Sequence, residues 1–288
     1  MLKVKPMLAY KAGKKPIDFS EQVFIQRKLD GVRCLFTKDG AFSRTGKPFK
    51  NVQHLENQLA YFFEKNPNIV LDGELYNHAL KDDFEKIISL VRKQKPTDED
   101  RGEASALVQF WCYDLLSQDS NAIANRFDYA ARMNMLTHIF DFYDLGPTNA
   151  VLVKTREVES MEEARIVHEQ NLAEGFEGSI IRLNKPYQQK RSYHLQKFKD
   201  FHDTEATIID YVEGKGKRTG TLGKFIMRDE MGIQFGCPPG KGFTYKDLAN
   251  ILDNIEDYIG KVATFTYFER TKMNSYRHPQ FKCLRDYE

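Results

Sequence analysis

Short apolar runs alternate with longer amphipathic stretches through the first 200 residues of the chain. Short apolar runs bounded by turn residues are typical of strands, whereas apolar residues at three- to four-residue spacing predict helices. Strands are predicted at residues 23–25, 34–36, 70–75, 107–116 and 178–183. Helices are predicted at residues 52–64, 81–91, 125–140 and 160–170. The last of these has Ser160 and Glu163 at capping-box spacing. The pattern predicts an α+β fold with a mixed sheet.

A polar tract interrupts this alternation at residues 93–103. It contains Pro96 and Gly102, and both residue types interrupt regular secondary structure. Exposure to solvent is enough to account for its polarity. The tract is therefore predicted to be an exposed loop between two elements.

The pattern changes after Lys199, where a second domain is predicted to begin. Residues 204–212 alternate like a strand, and a turn rich in glycine and basic residues follows at 213–220. Further strands are predicted at 222–228, 232–236 and 261–268, with one helix at 245–255. This set of elements predicts a small β-barrel, and an OB-fold fits the count.

Length and composition set limits on the function. The 288 residues suffice for two domains, and 41% hydrophobic with 29% charged residues is the balance of a soluble globular protein. The net charge is only +2, so binding to nucleic acid would depend on where the 43 lysines and arginines lie. The N-terminal segment has no apolar core of signal-peptide length, and no run of about 18 apolar residues occurs, so we predict a cytoplasmic protein without a membrane span.

The cysteines and histidines do not form metal-binding motifs. The four cysteines occur singly without a CxxC pair, and the seven histidines show no HxxxH or HExxH pairing. The cysteines are predicted to be buried, reduced thiols, and no zinc site is predicted.

A lysine at a predicted strand end is the first candidate for chemistry. The string from Lys28 to Arg33 reads KLDGVR, and it places cationic Arg27 and Arg33 near Lys28. A lysine attacks only when neutral, and nearby positive charge or desolvation favours its neutral form. By itself the string leaves an exposed lysine before a turn equally open.

Six further motifs follow in order, and with them the chain resembles the ATP-dependent DNA ligases of the covalent nucleotidyltransferase superfamily. That superfamily also includes RNA ligases and mRNA capping enzymes. The motifs lie at residues 28–33, 43–46, 71–75, 110–114, 177–182, 194–199 and 277–286. The resemblance covers nearly the whole chain and is to the minimal two-domain ligases of bacteriophages. It implies a mixed-sheet, ATP-grasp-like nucleotidyltransferase domain at 1–200 and an OB-fold at 201–288.

The resemblance implies a role for each matched residue of the first four motifs. Lys28 takes the AMP, Arg33 approaches the ribose, and Arg44 meets the phosphate beside the nick. Glu74 contacts the ribose hydroxyl or helps to hold the metal, and Tyr113 stacks on adenine. Arginine suits phosphate because its guanidinium is a planar fork of donors. Stacking on an aromatic ring is worth about 1–3 kcal/mol and tolerates any base.

The later motifs imply further metal and phosphate ligands. Glu177 is the main metal-ligand candidate beside Glu74, and Glu174 is a weaker one because it stands at a predicted helix end. Lys197 and Lys199 are implied to contact the α-phosphate, and their period-two spacing points both to one face of a strand.

Two matches depart from the family pattern. In the terminal motif, Arg277 and Arg285 are implied to approach the β- and γ-phosphates of ATP. The family usually has a lysine after the final aspartate, where this chain has Tyr287. Gln26 stands where the family commonly has a glutamate that reads the adenine amino group. An amide oxygen can accept the same bond, although more weakly than a carboxylate.

The resemblance also implies the substrates and partners. ATP and Mg²⁺, for which Mn²⁺ can substitute, would serve the reaction, and the partner would be nicked duplex DNA bound by a monomer. Phosphate contacts are predicted from Arg44 and the basic turn, and from a face around four N-terminal lysines, although solvated loops are an open alternative. The residues of the turn are Lys215, Lys217 and Arg218, and the lysines are Lys3, Lys5, Lys14 and Lys15.

Two other functions stay open at this point. An RNA ligase or a capping-type guanylyltransferase would share Lys28 and both carboxylates, although a capping enzyme needs the complete terminal motif. A non-catalytic nick-binding module would be expected to have lost the nucleophile or a metal carboxylate, and this chain keeps them.

Overall fold

The computed structural model describes residues 4–13, 15–145, 149–198, 202–240, 242–267, 269–271 and 274–285. The chain forms two compact units, Met1–Lys199 and Asp200–Glu288. Within the described residues, none of the helices is both long and apolar enough to cross a lipid bilayer.

The first unit contains two five-stranded sheets. One has the order β1-β10-β9-β2-β8, with β1 parallel to β10 and the other neighbours antiparallel. Its strands are β1 (Leu8–Lys11), β2 (Val23–Lys28), β8 (Thr155–Val158), β9 (Gly178–Leu183) and β10 (Arg191–Phe198). The other has the order β4-β3-β5-β6-β7, with only β6 and β7 parallel. Its strands are β3 (Val32–Thr37), β4 (Gly40–Ser43), β5 (Ile69–Tyr76), β6 (Gln109–Ser117) and β7 (Ala150–Leu152).

Five helices complete this unit. They are α1 (Gln53–Lys65), α2 (Phe84–Val91), α3 (Asp98–Leu107), α4 (Tyr129–Phe142) and α5 (Met161–Ala173). Helices α1 to α4 contribute to the large apolar core against the second sheet, and α5 packs on the first. Each sheet therefore has one helix-covered face, which leaves the other faces available for polar side chains.

Strand β2 has apolar side chains on one face and polar side chains on the other. Val23 and Ile25 are buried against Val167 of α5. Because side chains alternate along a strand, Gln26 and Lys28 lie on the opposite face. The sequence of β2 thus places its polar side chains on the face away from α5.

The prediction of a loop at residues 93–103 is wrong over its second half, because α3 begins at Asp98. Thr97 caps the helix: its hydroxyl accepts a bond from the Asp100 backbone N–H, and the Asp100 carboxylate accepts one from Thr97 N–H. The acidic first turn suits the helix N-terminus, and Ala104 is buried. Pro96 precedes the cap, and Gly102 is tolerated on the exposed side.

The other predicted helices exist within a few residues of their expected bounds. Ser160 is the N-cap of α5, as its spacing predicts, with its Oγ accepting from Glu163 N–H. Strands β1, β4, β7 and β8 are additional to those predicted, and each is only three or four residues long.

The second unit is an antiparallel sheet of order β13-β12-β11-β14-β17 with a helix, α6, packed on it. Its elements are β11 (His202–Glu213), β12 (Leu222–Arg228), β13 (Gln234–Cys237), α6 (Tyr245–Asp253), β14 (Val262–Tyr267), β15 (Glu269–Arg270), β16 (Tyr276–Arg277) and β17 (Gln280–Leu284). Pro239, just after β13, forms a parallel bridge with Phe281 of β17. This bridge joins the two ends of the sheet, so the predicted small barrel is confirmed.

Candidate active site

A cavity of about 270 Å³ in the first unit collects residues from both sheets. It contains seven of the predicted site residues, namely Gln26, Lys28, Arg33, Arg44, Glu74, Tyr113 and Lys197. The lining also includes apolar Leu8, Leu195 and Ile180 and two arginines to which the sequence analysis assigned no role, Arg182 and Arg191. A mixed lining of this kind, apolar walls with a few converging polar groups, is typical of a small-molecule site.

Lys28 lies at the end of β2 and its Nζ donates to Glu177 Oε2. The Glu177 backbone N–H in turn donates to the Lys28 carbonyl at 3.1 Å. The side chains are 19% and 7% exposed, so the pair is mostly shielded from water, and Lys28 also lines the cavity. The Glu177 carboxylate therefore holds the Lys28 amine in one position, and a fixed position favours reaction with a bound molecule.

Glu74 is the second carboxylate beside Lys28. It faces Arg33 across the β3–β5 register, and its Oε2 accepts a bond from the Tyr113 hydroxyl at 3.1 Å. Burial raises the pKa of Glu74 to about 7, although the positive charges of Arg33 and Lys28 oppose that rise. Such a perturbed carboxyl group in a cavity is typical of functional sites.

Arg33 is held by a buried carboxylate that the sequence analysis did not single out. Its Nε and Nη2 donate to the two carboxylate oxygens of Asp72, each at 2.6 Å, and Asp72 also accepts from the Tyr187 hydroxyl at 2.7 Å. Although burial lowers the pKa of Arg33, Asp72 outweighs it and the pKa lies well above its usual range. Arg33 is thus a fixed cation at the edge of the cavity.

A β-bulge places Tyr113 in the site. The register of β5 and β6 pairs Asp72 with Asp114 and then Gly73 with Cys112, which leaves Tyr113 as the extra residue. Bulges of this kind redirect a side chain that regular alternation would send elsewhere. Burial raises the pKa of Tyr113 well above its usual range, so its hydroxyl stays protonated and donates.

A second buried carboxylate, Asp114, holds Arg182, which lines the cavity. It is fully buried and receives Arg132 Nε and Arg182 Nη1, each at 2.7 Å. Burial alone would raise the pKa of Asp114, but the two guanidinium groups hold it below its usual range. Sequence reasoning missed this group, although an aspartate inside an apolar strand is a signal, because a buried charge must be paired.

Gln26 is already hydrogen-bonded at both ends of its amide. Its Oε1 accepts from Arg182 Nε at 2.5 Å, and its Nε2 donates to Thr155 Oγ1 at 2.8 Å. The expected bond from an adenine amino group would use the second lone pair of the same oxygen. That role stays a prediction.

The remaining predicted residues are placed as follows. Arg44, just after β4, and Lys197, on β10, line the cavity. Glu174 forms an ion pair with Arg27 at 2.5 Å and ends α5. Lys199, Lys3 and Lys14 lie outside the described residues. In the second unit, Lys215, Lys217 and Arg218 are exposed in a turn, Arg277 is in β16, and Arg285 forms an ion pair with Glu205.

The two carboxylates fit the requirements of a magnesium ion. Among the described residues, no group of three or more His, Cys, Asp or Glu side chains could bind a metal unaided. Mg²⁺ needs less, because it keeps several waters and takes one or two carboxylates plus substrate phosphate oxygens. Glu74 and Glu177 both lie near Lys28 and would supply that pair, and their role as magnesium ligands stays a prediction.

Comparisons with known proteins agree on one family. The family model for the ATP dependent DNA ligase domain matches residues 6–199, and that for the DNA ligase OB-like domain matches residues 213–285. A DNA ligase of African swine fever virus is 30% identical over 235 residues, which is 76% of this chain and 52% of the viral protein. The chain thus spans about half the length of that relative. A DNA ligase of Haemophilus influenzae is 26% identical and covers 91% of this chain and 85% of its own length.

Solved structures show the same fold. A Lig E DNA ligase aligns with a TM-score of 0.78 and 24% identity, covering 98% of this chain and 99% of its own. The ATP-bound ligase of bacteriophage T7 aligns with a TM-score of 0.59 and 18% identity, covering 98% of each chain. Both family models match in the expected order, and the first covers most of the chain. The protein belongs to the ATP-dependent DNA ligase family.

Proposed function

We propose that this chain is a DNA ligase that uses ATP to seal nicks bearing a 5′-phosphate and a 3′-hydroxyl, working as a monomer in the cytoplasm. The observation that carries the proposal is the shielded contact of Glu177 with Lys28, which itself lines a cavity together with Glu74, Tyr113 and Lys197. This set offers a nucleophile, an aromatic wall and a positive charge for phosphate in one place.

The reaction would consist of three transfers. Lys28 Nζ, after losing its proton, attacks the α-phosphorus of ATP; an N–P bond forms, and the P–O bond to pyrophosphate breaks. A 5′-phosphate oxygen at the nick then displaces the lysine and takes the AMP. Finally the 3′-hydroxyl oxygen attacks the 5′-phosphorus, a phosphodiester forms, and AMP leaves with its phosphate.

Several residues in and beside the cavity have a task in this scheme. Glu177 orients the Lys28 amine, and Lys197 places positive charge beside the transferring phosphate. Tyr113 offers its ring to the adenine, and Arg44 a fork of donors to the nick phosphate. Magnesium, held by Glu74 and Glu177, would neutralise charge on the phosphate oxygens.

DNA contacts are proposed for the second unit as well. Lys215, Lys217 and Arg218 are exposed in one turn and are suited to neutralising phosphates. Each phosphate contact releases counterions, so binding should weaken as the salt concentration rises.

The decisive experiment is to mix the protein with ATP, magnesium and a nicked duplex and to follow both the protein mass and the sealing. The wild type is expected to gain one AMP and to seal DNA, and Lys28→Ala to do neither. Lys38→Ala, which removes an exposed lysine outside the cavity, serves as the matched control and should keep both activities. A parallel reaction with nicked RNA identifies an RNA ligase. A wild-type protein that neither gains AMP nor seals refutes the proposal.

A further inference from the structure

One wall of the cavity contains an amide with a fixed orientation. Gln26 lies two residues before Lys28 on the same face of β2 and is only 2% exposed. Arg182 Nε donates to its oxygen and Thr155 accepts from its nitrogen. These bonds leave one lone pair on Oε1 and one N–H on Nε2 for a ligand.

Arg182 determines the orientation of the Gln26 amide. A guanidinium has donors and no acceptor, so only the amide oxygen can face it. If the amide rotated by half a turn, its N–H groups would face the N–H groups of Arg182. Buried donors would then be left without acceptors. The Thr155 hydroxyl both donates and accepts, so it tolerates either orientation.

Arg182 is itself held rigidly. Its Nη1 donates to Asp114 Oδ2 at 2.7 Å, and the opposite carboxylate oxygen accepts from Arg132 Nε and from Leu115 N–H. Arg182 and Asp114 are 3% and 0% exposed. The guanidinium also lies 5.3 Å from the centre of the Tyr113 ring, beside the surface expected to meet the base. It therefore has no freedom to turn away from Gln26.

The orientation of the amide matters because adenine and guanine present opposite patterns. Adenine has an amino donor at C6 next to a ring-nitrogen acceptor, whereas guanine has an oxygen acceptor at C6 next to an N–H donor. A primary amide carries one acceptor and one donor side by side, as in the pairing of glutamine with adenine. Rotating the amide exchanges the two, so one orientation complements adenine and the other complements guanine.

We propose that Arg182 is a positioning residue for nucleotide selectivity, which fixes the Gln26 amide so that the site accepts ATP and rejects GTP. The inference rests on the proposed function, because it takes ATP as the substrate and Tyr113 as the base platform. It adds Arg182, to which the sequence analysis assigned no role. It also attributes the selectivity to a side chain that only donates hydrogen bonds and that holds the Gln26 amide, rather than to the amide alone.

The test compares covalent nucleotide adducts on Lys28 formed from ATP and from GTP, measured as initial rates by intact mass. In Arg182→Met the amide is free to rotate, so the ratio of the ATP rate to the GTP rate should fall by about tenfold or more. Arg182→Lys restores a donor without an acceptor and should recover much of the ratio. Thr155→Val is the matched control, because it removes the bond at the other end of the same amide and should leave the ratio unchanged.

A second variant keeps the test decisive if Arg182→Met does not fold, which a thermal unfolding scan will show. Arg182→Gln presents both a donor and an acceptor to the Gln26 amide, so both orientations of the amide are tolerated and the ratio should again fall. An unchanged ratio in folded Arg182→Gln overturns the inference, and so does an unchanged ratio in folded Arg182→Met. A wild type that forms no adduct with any nucleotide overturns the proposed function and this inference with it.

Discussion

Replacing Glu74 with glutamine is expected to stabilise the protein at neutral and alkaline pH, although it removes a group from the active site. Burial raises the pKa of Glu74 to about 7, compared with an ordinary value of 4.5. Between these values the folded protein holds a proton that the unfolded chain has released. The contribution of this carboxyl group to stability is thus fully present below about pH 4.5 and is lost as the pH rises through about 7.

The size of the effect follows from the difference between the two pKa values. That difference corresponds to about 3 kcal/mol of unfolding free energy, which the ionised wild type has lost above about pH 8. Glutamine has no charge to desolvate and keeps an oxygen that can accept from Tyr113. Glu74→Gln should therefore be more stable than the wild type by up to about 3 kcal/mol at about pH 8, with the difference vanishing near pH 4.5.

The assay is urea unfolding of both proteins at a series of pH values, comparing the free energies of unfolding at equal slope. Glu169→Gln, at an exposed position on α5, is the control and should show no such pH-dependent difference. On the proposed function, the same Glu74→Gln protein should fail to form the Lys28 adduct, because the substitution removes a proposed magnesium ligand. The reasoning is refuted if the variant is less stable than the wild type at every pH. It is also refuted if the two free energies of unfolding differ by the same amount at every pH.

Three further predictions concern the scaffold. Gly73→Ala should destabilise the protein by about 2 kcal/mol or more, since its Cβ would lie 2.5 Å from both the Phe110 ring and the Trp111 carbonyl oxygen. Gly102→Ala meets nothing within 4 Å on the exposed side of α3 and should stabilise by about 0.5–1 kcal/mol, so a stability loss there would contradict the helix. Asp114→Asn should cost about 3–5 kcal/mol at neutral pH. Because the pKa of Asp114 is held below its ordinary value of 3.8, that difference should shrink as the pH falls from 3.8 through the lower folded-state pKa, and a pH-independent difference would contradict the pairing.

The sequence predicted the strands and helices well where one periodicity dominated. The strand at 178–183 and the helix begun by Ser160 need only local information, namely an apolar run and a capping residue. Residues 98–103 were misassigned because Pro96 and Gly102 suggested a loop, whereas the capping box of Thr97 and the buried contact of Ala104 favour a helix. Tertiary packing thus outweighs the low helix propensity of one exposed glycine, Gly102.

The candidate site was predictable to the extent that its residues belong to ordered motifs. Lys28, Glu74 and Tyr113 could be named from the chain alone, and the structure brings them into one cavity. The position of Tyr113 could not be predicted, because a bulge depends on how two strands pair. The carboxylates of Asp72 and Asp114 were missed for the same reason, since their arginine partners are distant in sequence.

By itself, then, the order of residues determined which groups are available for chemistry and which strand face each occupies. Those properties follow from periodicity and from side-chain identity, both of which are local. Only the tertiary structure decided which charges meet: Glu177 beside Lys28, and Arg182 between Asp114 and Gln26. Buried charges and amides must find partners wherever the fold provides them, so these contacts are set by strand pairing across the sheets rather than by neighbours along the chain.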